Sequence, residues 1–213
     1  MIDIKDSKLF INISDEEFEE INKKIIYKKI NKGEIIFNIG SKLSDFYLIL
    51  DGKVEVCSYD FNGNKKLIGI FNDGELFGES VALGQEKISP FEVSAVKDTD
   101  VVIIKQDTIL NLPIAVLYNL VKIVSTKNTF LTHKVECLNK STVKERLFEV
   151  LTYYHLKQQS NTIVIPFNKT QLAEYLCVNR SSLSREIKQM EDDGIIKVKK
   201  NKYFLSEKTF KML

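Results

Sequence analysis

The chain has 213 residues, of which 44% are apolar, and this is enough to bury a core in each of two domains of ordinary size. Its three cysteines and two histidines are widely spaced, and no apolar stretch nears the ~20 residues that cross a bilayer, which argues against a disulfide framework, a metal site and a membrane span. The net charge of +2 is uneven, because residues 1–141 carry −3 and residues 142–213 carry +5, so we expect the C-terminal third to meet a polyanion.

Residues 32–105 contain short runs rich in Ile, Val, Phe and Tyr, separated by turn-forming pairs such as Asp51-Gly52 and Asp73-Gly74. So many short strands at regular spacing favour an antiparallel β jelly-roll barrel. Before them, Ser14 and Glu17 have the spacing of a capping box, which predicts a helix over residues 14–24. The predicted strands cover residues 35–39, 47–50, 54–58, 67–71, 93–96 and 101–104.

Beyond the strands, apolar residues recur at alternating steps of four and three, which is the pattern of a heptad seam. Pro113 is tolerated only in the first turn of a helix, so the helix is predicted to run from about residue 112 to about residue 138. An apolar stripe of four heptads is longer than packing on one small barrel needs, so we interpret the seam as a homodimer interface. The alternative is a stripe packed on the protein's own barrel. The predicted interface residues are Ile114, Leu117, Val121, Val124, Asn128, Leu131 and Val135.

A third zone begins after Ser141, where Thr142 and Glu145 form a second capping box. A short strand is predicted over residues 162–167, followed by a helix capped by Asn168 with Gln171. The sequence therefore predicts an α+β protein with an N-terminal domain over residues 1–108, a long helix within 109–140 and a C-terminal domain over 141–213.

The C-terminal domain contains the pattern of a helix-turn-helix. Residues 169–176 form one short predicted helix, residues 177–179 a turn and residues 180–193 a longer helix that ends at Gly194. The spacing of the apolar residues lets the two helices pack together, and a hairpin around residues 200–202 follows as a basic wing. The residues predicted to contact DNA are Arg180, Ser181, Ser182, Ser184, Arg185, Lys188, Lys169, Thr170, Gln171, Lys200 and Lys202.

Arginine suits the exposed start of such a helix because its planar fork can donate two hydrogen bonds to O6 and N7 of guanine. The short hydroxyls of Ser181 and Ser182 suit a phosphate or a neighbouring base, and the N–H groups of Thr170 and Gln171 suit a phosphate. The alternative is a solvated charged face on a small helical domain. We therefore predict that the second helix, with Arg180 and Arg185, lies in the major groove of double-stranded DNA.

The order of barrel, long helix and winged helix-turn-helix resembles the CRP/FNR family of bacterial regulators over essentially the whole chain. The resemblance is carried by Gly33-Glu34-Ile35-Ile36, Tyr47 through Val54, Phe77-Gly78-Glu79, Arg180 to Arg185 and Gly194-Ile195-Ile196. It implies a cyclic-nucleotide-binding-like effector domain, a dimerisation helix and a DNA-binding domain. It also implies a homodimer on a two-fold-symmetric operator with half-sites about 34 Å apart, a small-molecule effector and contact with RNA polymerase.

The family's cyclic-nucleotide pocket uses a Gly-Glu pair for the ribose and an Arg-Ser or Arg-Thr pair for the phosphate. Gly78-Glu79 matches the first pair, but Ser89-Pro90 stands where the arginine pair is expected. A buried phosphate without a cation keeps most of its desolvation cost, so the effector is expected not to be cyclic AMP. The resemblance places the effector pocket at Gly78, Glu79, Ser80, Ser89, Leu131 and Thr132.

Three further residues set this chain apart from the family pattern. No cysteine precedes Cys57, so the iron–sulfur branch does not fit. Ser181 replaces a common glutamate of the recognition helix, which predicts a different preference at one base pair. Cys177 occupies a turn position that often holds glycine, which we interpret as mild backbone strain; the alternative is a thiol exposed beside DNA.

The sequence thus predicts a cytoplasmic transcriptional regulator, not an enzyme, with neither a cofactor nor a membrane partner. One alternative is a sensory module whose C-terminal domain makes protein contacts, which the basic wing and the two arginines disfavour. The other is a jelly-roll metalloenzyme, which would need clustered histidines in the barrel. The predicted barrel contains none, because His133 and His155 lie beyond it.

Overall fold

The computed structural model describes residues 2–109 and 111–210, except for the side chains of Ile109 and Phe210. The chain divides into two compact units, Met1–Asn128 and Thr129–Leu213. The boundary falls within a long helix, so that helix contributes residues to both units. Among the described residues, no helix is both long and apolar enough to cross a membrane.

The first unit is built mainly from eight strands and four helices. After a short 3-10 helix, Ile4–Asp6, its elements are α1 (Asp15–Asn22), β1 (Ile26–Ile30), β2 (Ile35–Phe37), β3 (Asp45–Asp51), β4 (Lys53–Tyr59), β5 (Lys65–Asn72), β6 (Leu76–Phe77), α2 (Glu79–Ala82), β7 (Glu92–Ala95), β8 (Thr99–Lys105), α3 (Gln106–Ile109) and the first part of α4 (Ile114–Leu138).

The eight strands form two antiparallel four-stranded sheets, in the orders β1-β8-β3-β6 and β2-β7-β4-β5. Apolar side chains from both sheets share one core, which includes Phe46 and Leu48 of β3 and Val54 of β4. This arrangement confirms the α+β class and the antiparallel jelly roll. The predicted barrel is a pair of packed sheets, with no closed ring of strands among the described residues.

All six predicted strands are present, with ends that differ by at most two residues. The sequence did not predict β1, because four of its five side chains are exposed and the strand shows no alternation of apolar and polar residues. Its place in the sheet is set by pairing with β8, where Ile26 lies opposite Ile103. β2 ends at Phe37 rather than at residue 39.

Gly52 allows the sharp turn from β3 to β4. Its φ is +143°, and a Cβ at this position would lie 2.4 Å from the side chain of Thr99. Thr99 is buried, and its hydroxyl accepts a hydrogen bond from Lys53 N at 3.1 Å. The close approach of Thr99 therefore requires glycine in this turn.

α4 begins at Ile114, two residues later than predicted, and ends at Leu138 as predicted. The carbonyl of Pro113 accepts a hydrogen bond from Val116 N, so the proline lies at the start of the helix, where its missing N–H does no harm. Val116 and Leu120 are buried in the core of the first unit. The Asn119 side chain donates hydrogen bonds to Leu9 O at 3.1 Å and Ile11 O at 2.7 Å, which ties the helix to the N-terminal segment.

The second unit continues from the last part of α4 into a small domain of helices and one sheet. Its three strands form an antiparallel sheet in the order β10-β11-β9. The strand predicted over residues 162–167 stops at Val164, and Pro166, which follows, has no N–H to donate. The elements are α5 (Val143–Gln158), β9 (Thr162–Val164), α6 (Lys169–Tyr175), α7 (Arg180–Asp192), β10 (Ile196–Lys199), β11 (Lys202–Leu205) and α8 (Glu207–Phe210).

Candidate DNA-binding and effector sites

The helix-turn-helix is held together by apolar contacts between short helices. Leu172, Ala173 and Leu176 are buried on the side of α6 and its C-cap, and Leu183 and Ile187 are buried on α7. The small Ala173 side chain permits close approach of the two helices. Packing of these apolar faces fixes which side of α7 remains in solvent.

The turn between α6 and α7 depends on one residue in an unusual conformation. Cys177 has a φ of +53°, in the left-handed region that side chains other than glycine rarely adopt. The preceding Leu176 carbonyl accepts a hydrogen bond from Arg146 Nη1 at 3.0 Å, so α5 supports the turn. The backbone strain predicted for Cys177 is confirmed by its φ.

The outer face of α7 carries the residues that sequence reasoning assigned to DNA. Arg180, Ser181, Arg185 and Lys188 are exposed, and Ser182 and Ser184 are half-buried. Within the described part of the chain, Arg180 and Arg185 make neither an ion pair nor a side-chain hydrogen bond. Both guanidinium groups are therefore available to bases or phosphates.

The predicted contacts at the start of α6 need one correction. The Gln171 N–H donates to Asn168 Oδ1 at 2.9 Å, and the Gln171 side chain accepts from Asn168 N at 3.1 Å. This capping box confirms the predicted cap but uses the N–H that was assigned to a phosphate. The exposed side chains of Lys169 and Thr170 are not used by the cap.

The wing is the hairpin of β10 and β11, in which Lys199 lies opposite Lys202. Lys200, with a φ of +59°, and Lys202 are both exposed at its tip. Val198 N donates to the Glu191 carboxylate at 2.8 Å, which fixes the hairpin to the end of α7. The structure thus places basic side chains both on α7 and on a wing attached to it.

In the first unit, two of the predicted effector residues, Gly78 and Glu79, lie at the start of α2, and the Glu79 carboxylate is buried. Gly78, with a φ of +83°, is the N-cap of α2, and Glu79 beside it is only 2% exposed. Lys127 Nζ of α4 lies 2.7 Å from Glu79 Oε1 and also donates to Leu76 O at 2.5 Å. Glu79 is thus already paired with a cation from the protein itself. Its second oxygen, Oε2, is buried and accepts no hydrogen bond from the described residues.

The other predicted pocket residues are placed differently. Ser89 is buried, and its hydroxyl donates to Phe91 O at 2.7 Å and accepts from Phe91 N at 3.3 Å. Ser80 is exposed next to Glu79, and in the second unit Leu131 and Thr132 are exposed on α4. The Ser89 hydroxyl is therefore engaged by the backbone of its own loop.

Sequence reasoning did not single out Lys127. Its signal was available, because Lys127 follows Leu120 and Val124 at helical spacing on the face of α4 that packs on the first unit. Its ammonium also lies 4.4 Å from the centroid of the Phe71 ring, which adds a cation–π contact. A charged residue in a buried register is a sign of a buried partner.

The predicted dimer seam is partly exposed and partly covered. Ile114 is 86% exposed, Val121 61%, Val135 59% and Leu131 44%, and Asn128 is exposed as well. Leu117 and Val124 instead pack against the core of the first unit. Tyr118, which was not predicted, is 61% exposed in their place. The exposed apolar residues on α4 are therefore Ile114, Tyr118, Val121, Leu131 and Val135.

Comparison with known protein families supports the interpretation of both the N-terminal and the C-terminal part of the chain. Residues 27–113 match the family model of the cyclic nucleotide-binding domain, and residues 145–207 match that of the Crp-like helix-turn-helix domain. Together these matches define a regulator that joins a cyclic-nucleotide-binding-type domain to a DNA-binding domain.

Individual relatives cover nearly the whole chain. The cyclic AMP receptor protein of Thermus thermophilus is 23% identical over 199 residues, which cover 92% of this chain and 90% of that protein. The probable transcriptional regulator flp of Lacticaseibacillus casei is 22% identical over 195 residues, with coverages of 88% and 86%. The CooA mutant structure from Carboxydothermus hydrogenoformans is 17% identical, with a TM-score of 0.76 over 91% of this chain and 89% of that chain. The chain belongs to the CRP/FNR family of transcriptional regulators, which bind DNA and are not enzymes.

Proposed function

We propose that the protein acts as a homodimer that reads a two-fold-symmetric DNA operator, with α7 of each protomer in the major groove of one half-site. The observation that carries this proposal is the outer face of α7, where Arg180 and Arg185 are exposed and make no ion pair within the described residues. A bidentate contact from either guanidinium to guanine discriminates against other bases by about 1–3 kcal/mol. Lys188 and the wing residues Lys200 and Lys202 add phosphate contacts that position α7.

Dimerisation through α4 is supported by the exposed apolar side chains of that helix. Five large apolar residues on one helix, with exposures between 44% and 86%, are costly to leave in water. Tyr118 and Val121 are three residues apart and Leu131 and Val135 four apart, so each pair lies on one side of the helix. We therefore place the interface on Ile114, Tyr118, Val121, Leu131 and Val135, with Asn128 between them, rather than on Leu117 and Val124.

The effector is a molecule other than cyclic AMP. Three features of the first unit support this: no arginine stands beside Ser89, the Ser89 hydroxyl is used by Phe91, and Glu79 is already paired with Lys127. A cyclic nucleotide would have to share Glu79 with Lys127 and bury a phosphate without a cation from the Ser89 position. An effector that replaces Lys127 must instead offer hydrogen-bond donors to Glu79. The DNA-bound dimer would then act on RNA polymerase.

Capture of genomic fragments by the purified full-length protein tests the proposal. We expect the enriched fragments to share a motif with two inverted half-sites, whose centres lie about one helical turn apart. Fragments that share no motif, or a motif without two-fold symmetry, would contradict the proposal.

Isothermal titration with cyclic AMP tests the effector part separately. No binding is expected below about millimolar concentration, because a phosphate at this site would lack its cation. A micromolar dissociation constant would overturn the assignment of Ser89 to the position of the missing arginine.

A further inference from the structure

A second cluster of side chains lies away from both sites described above, in the second unit. His133 and Glu136 are on the last turns of α4, and Glu149 is on α5. One potential ligand atom from each of the three lies within 4.8 Å of the other two. The cluster therefore brings one imidazole and two carboxylates together from two helices joined by the short turn 139–142.

The histidine of this cluster has an unsatisfied buried nitrogen. His133 Nδ1 is shielded from solvent yet makes no hydrogen bond in the described structure. Its nearest acidic atom is Glu136 Oε2 at 3.6 Å, which is beyond hydrogen-bond distance. The ring itself is held by contact with Tyr153, with the two centroids 4.9 Å apart. A buried nitrogen without a partner carries a desolvation cost that a bound group would remove.

A small cavity adjoins His133. It is lined by His133, Glu149, Cys137 and the rings of Tyr153, Tyr154 and Tyr175, and its volume is about 10 Å³. That space suits one water-sized species, such as a single cation, and no larger ligand. Imidazole and carboxylate together suit divalent transition metals such as Zn²⁺, whereas Mg²⁺ and Ca²⁺ prefer all-oxygen ligand sets.

Two neighbouring groups define what the cation would compete with. Lys140 Nζ lies 3.4 Å from Glu149 Oε2, in a pair whose lysine side chain is 44% exposed, so this ion pair is weak. Cys137 Sγ donates to Arg146 O at 3.2 Å and is not counted as a ligand. Two ligand atoms on a tetrahedral Zn²⁺ are about 3.4 Å apart, which the half-exposed Glu136 side chain can reach by rotation.

We propose that His133, Glu136 and Glu149 form a binding site for a divalent transition-metal cation of the Zn²⁺ class. The cation gives His133 Nδ1 a partner and neutralises the charges of the two adjacent carboxylates. It also links the end of α4 to α5, because its ligands come from both helices. The metal thus fixes the angle between these helices within the second unit.

The test uses the full-length protein, freed of metal by a chelator, and Zn²⁺ alone as the probe. We expect calorimetry to show one Zn²⁺ bound per chain. Glu136→Gln, Glu149→Gln and His133→Asn should each weaken binding about tenfold or more. Glu136→Gln is the variant least able to disturb folding, since Glu136 is exposed and makes no hydrogen bond in the described structure.

His155→Asn is the matched control, because His155 is the other histidine of the chain and its Nδ1 contacts Ser160 O instead. His155→Asn should bind Zn²⁺ as the wild type does. Thermal melts compare each protein with and without Zn²⁺, so a change in a variant's own stability does not affect the comparison. The metal should raise Tm for the wild type and His155→Asn but not for Glu136→Gln. Absence of Zn²⁺ binding to the wild type, or equal binding by wild type and Glu136→Gln, would overturn the proposal. No DNA or effector enters this measurement, so its failure is distinct from failure of the regulatory function.

Discussion

Lys127 Nζ and Glu79 Oε1 lie 2.7 Å apart, and Glu79 is the carboxylate that the family resemblance assigns to an effector. The Glu79 side chain is 2% exposed, so Lys127 is the cation that compensates a carboxylate largely removed from water. The pair also joins α2 to α4, the helix that carries the exposed apolar residues. An effector that binds Glu79 therefore shares this carboxylate with, or displaces, a residue of the proposed dimerisation helix, which gives a physical connection between ligand and assembly.

Replacement of Lys127 by Met is expected to destabilise the protein. It leaves Glu79 as an uncompensated buried charge, and loss of one partner from a fully buried pair costs about 3–5 kcal/mol. The loss should be somewhat smaller here, because the Lys127 side chain is 23% exposed. Urea unfolding of the full-length protein measures the effect.

Lys122→Met serves as the control for that variant, because Lys122 is exposed on the same helix and its ammonium lies over the Tyr118 ring, 4.2 Å from the centroid. Its effect should be within about 0.5 kcal/mol of zero. The double variant Glu79→Gln with Lys127→Met should recover part of the loss. Equal stability of Lys127→Met and Lys122→Met would show that the buried pair contributes nothing to the free energy of unfolding.

Arg185→Ala is expected to lose about 1–3 kcal/mol of binding free energy at the selected operator, which is about a 5- to 150-fold change in the dissociation constant. The loss should depend on sequence, because the guanidinium is exposed on α7 and reads a base edge in our proposal. Sedimentation should show an unchanged dimer. Footprinting titrations on the operator and on a variant of its half-sites measure both the loss of affinity and its dependence on sequence.

Lys188→Ala separates positioning from sequence reading. Lys188 lies on the same exposed face, but as a point charge it should weaken binding about equally on all sequences and lower the salt slope by about 1. An Arg185→Ala variant that behaved in this same way would assign Arg185 to a phosphate and not to a base.

The parts that the sequence predicts well are those fixed by near neighbours. The capping boxes at Ser14, Thr142 and Asn168 are all present, because each needs only two side chains three residues apart. The helix-turn-helix follows from a short apolar pattern for the same reason. Strain at Cys177 was expected from the family resemblance, in which that turn position often holds glycine, and its φ is +53°.

Features that depend on distant residues were missed. β1 is recognisable only through its pairing with β8, which lies more than 60 residues further along the chain. The Glu79–Lys127 pair spans 48 residues, and the cluster of His133 and Glu149 forms only when α5 folds back on α4. Leu117 was expected at the interface but packs on its own unit, and Tyr118, for which no role was predicted, is exposed. A heptad pattern does not state which side of a helix its own domain covers.

Val121→Asp is expected to convert the proposed dimer into monomers. Val121 is 61% exposed in the single chain, so an aspartate is tolerated there, whereas burial of its charge between two helices is costly. Val164→Asp is the matched control, because Val164 is 40% exposed on β9, away from α4. Sedimentation equilibrium should show monomers for Val121→Asp and dimers for Val164→Asp. Dimers in both cases would place the interface elsewhere.

Asn168→Ala should lower the free energy of unfolding by about 1 kcal/mol, because it removes the side-chain acceptor for Gln171 N at the start of α6. Asn168→Ser retains an acceptor of suitable length and should restore most of that stability. Both substitutions leave the buried packing of Leu172 and Ala173 unchanged, so a difference between them reports the cap alone. Chemical denaturation of both variants provides the comparison. If the alanine and serine variants unfolded at the same denaturant concentration, the capping hydrogen bond would contribute nothing to the helix that supports α7.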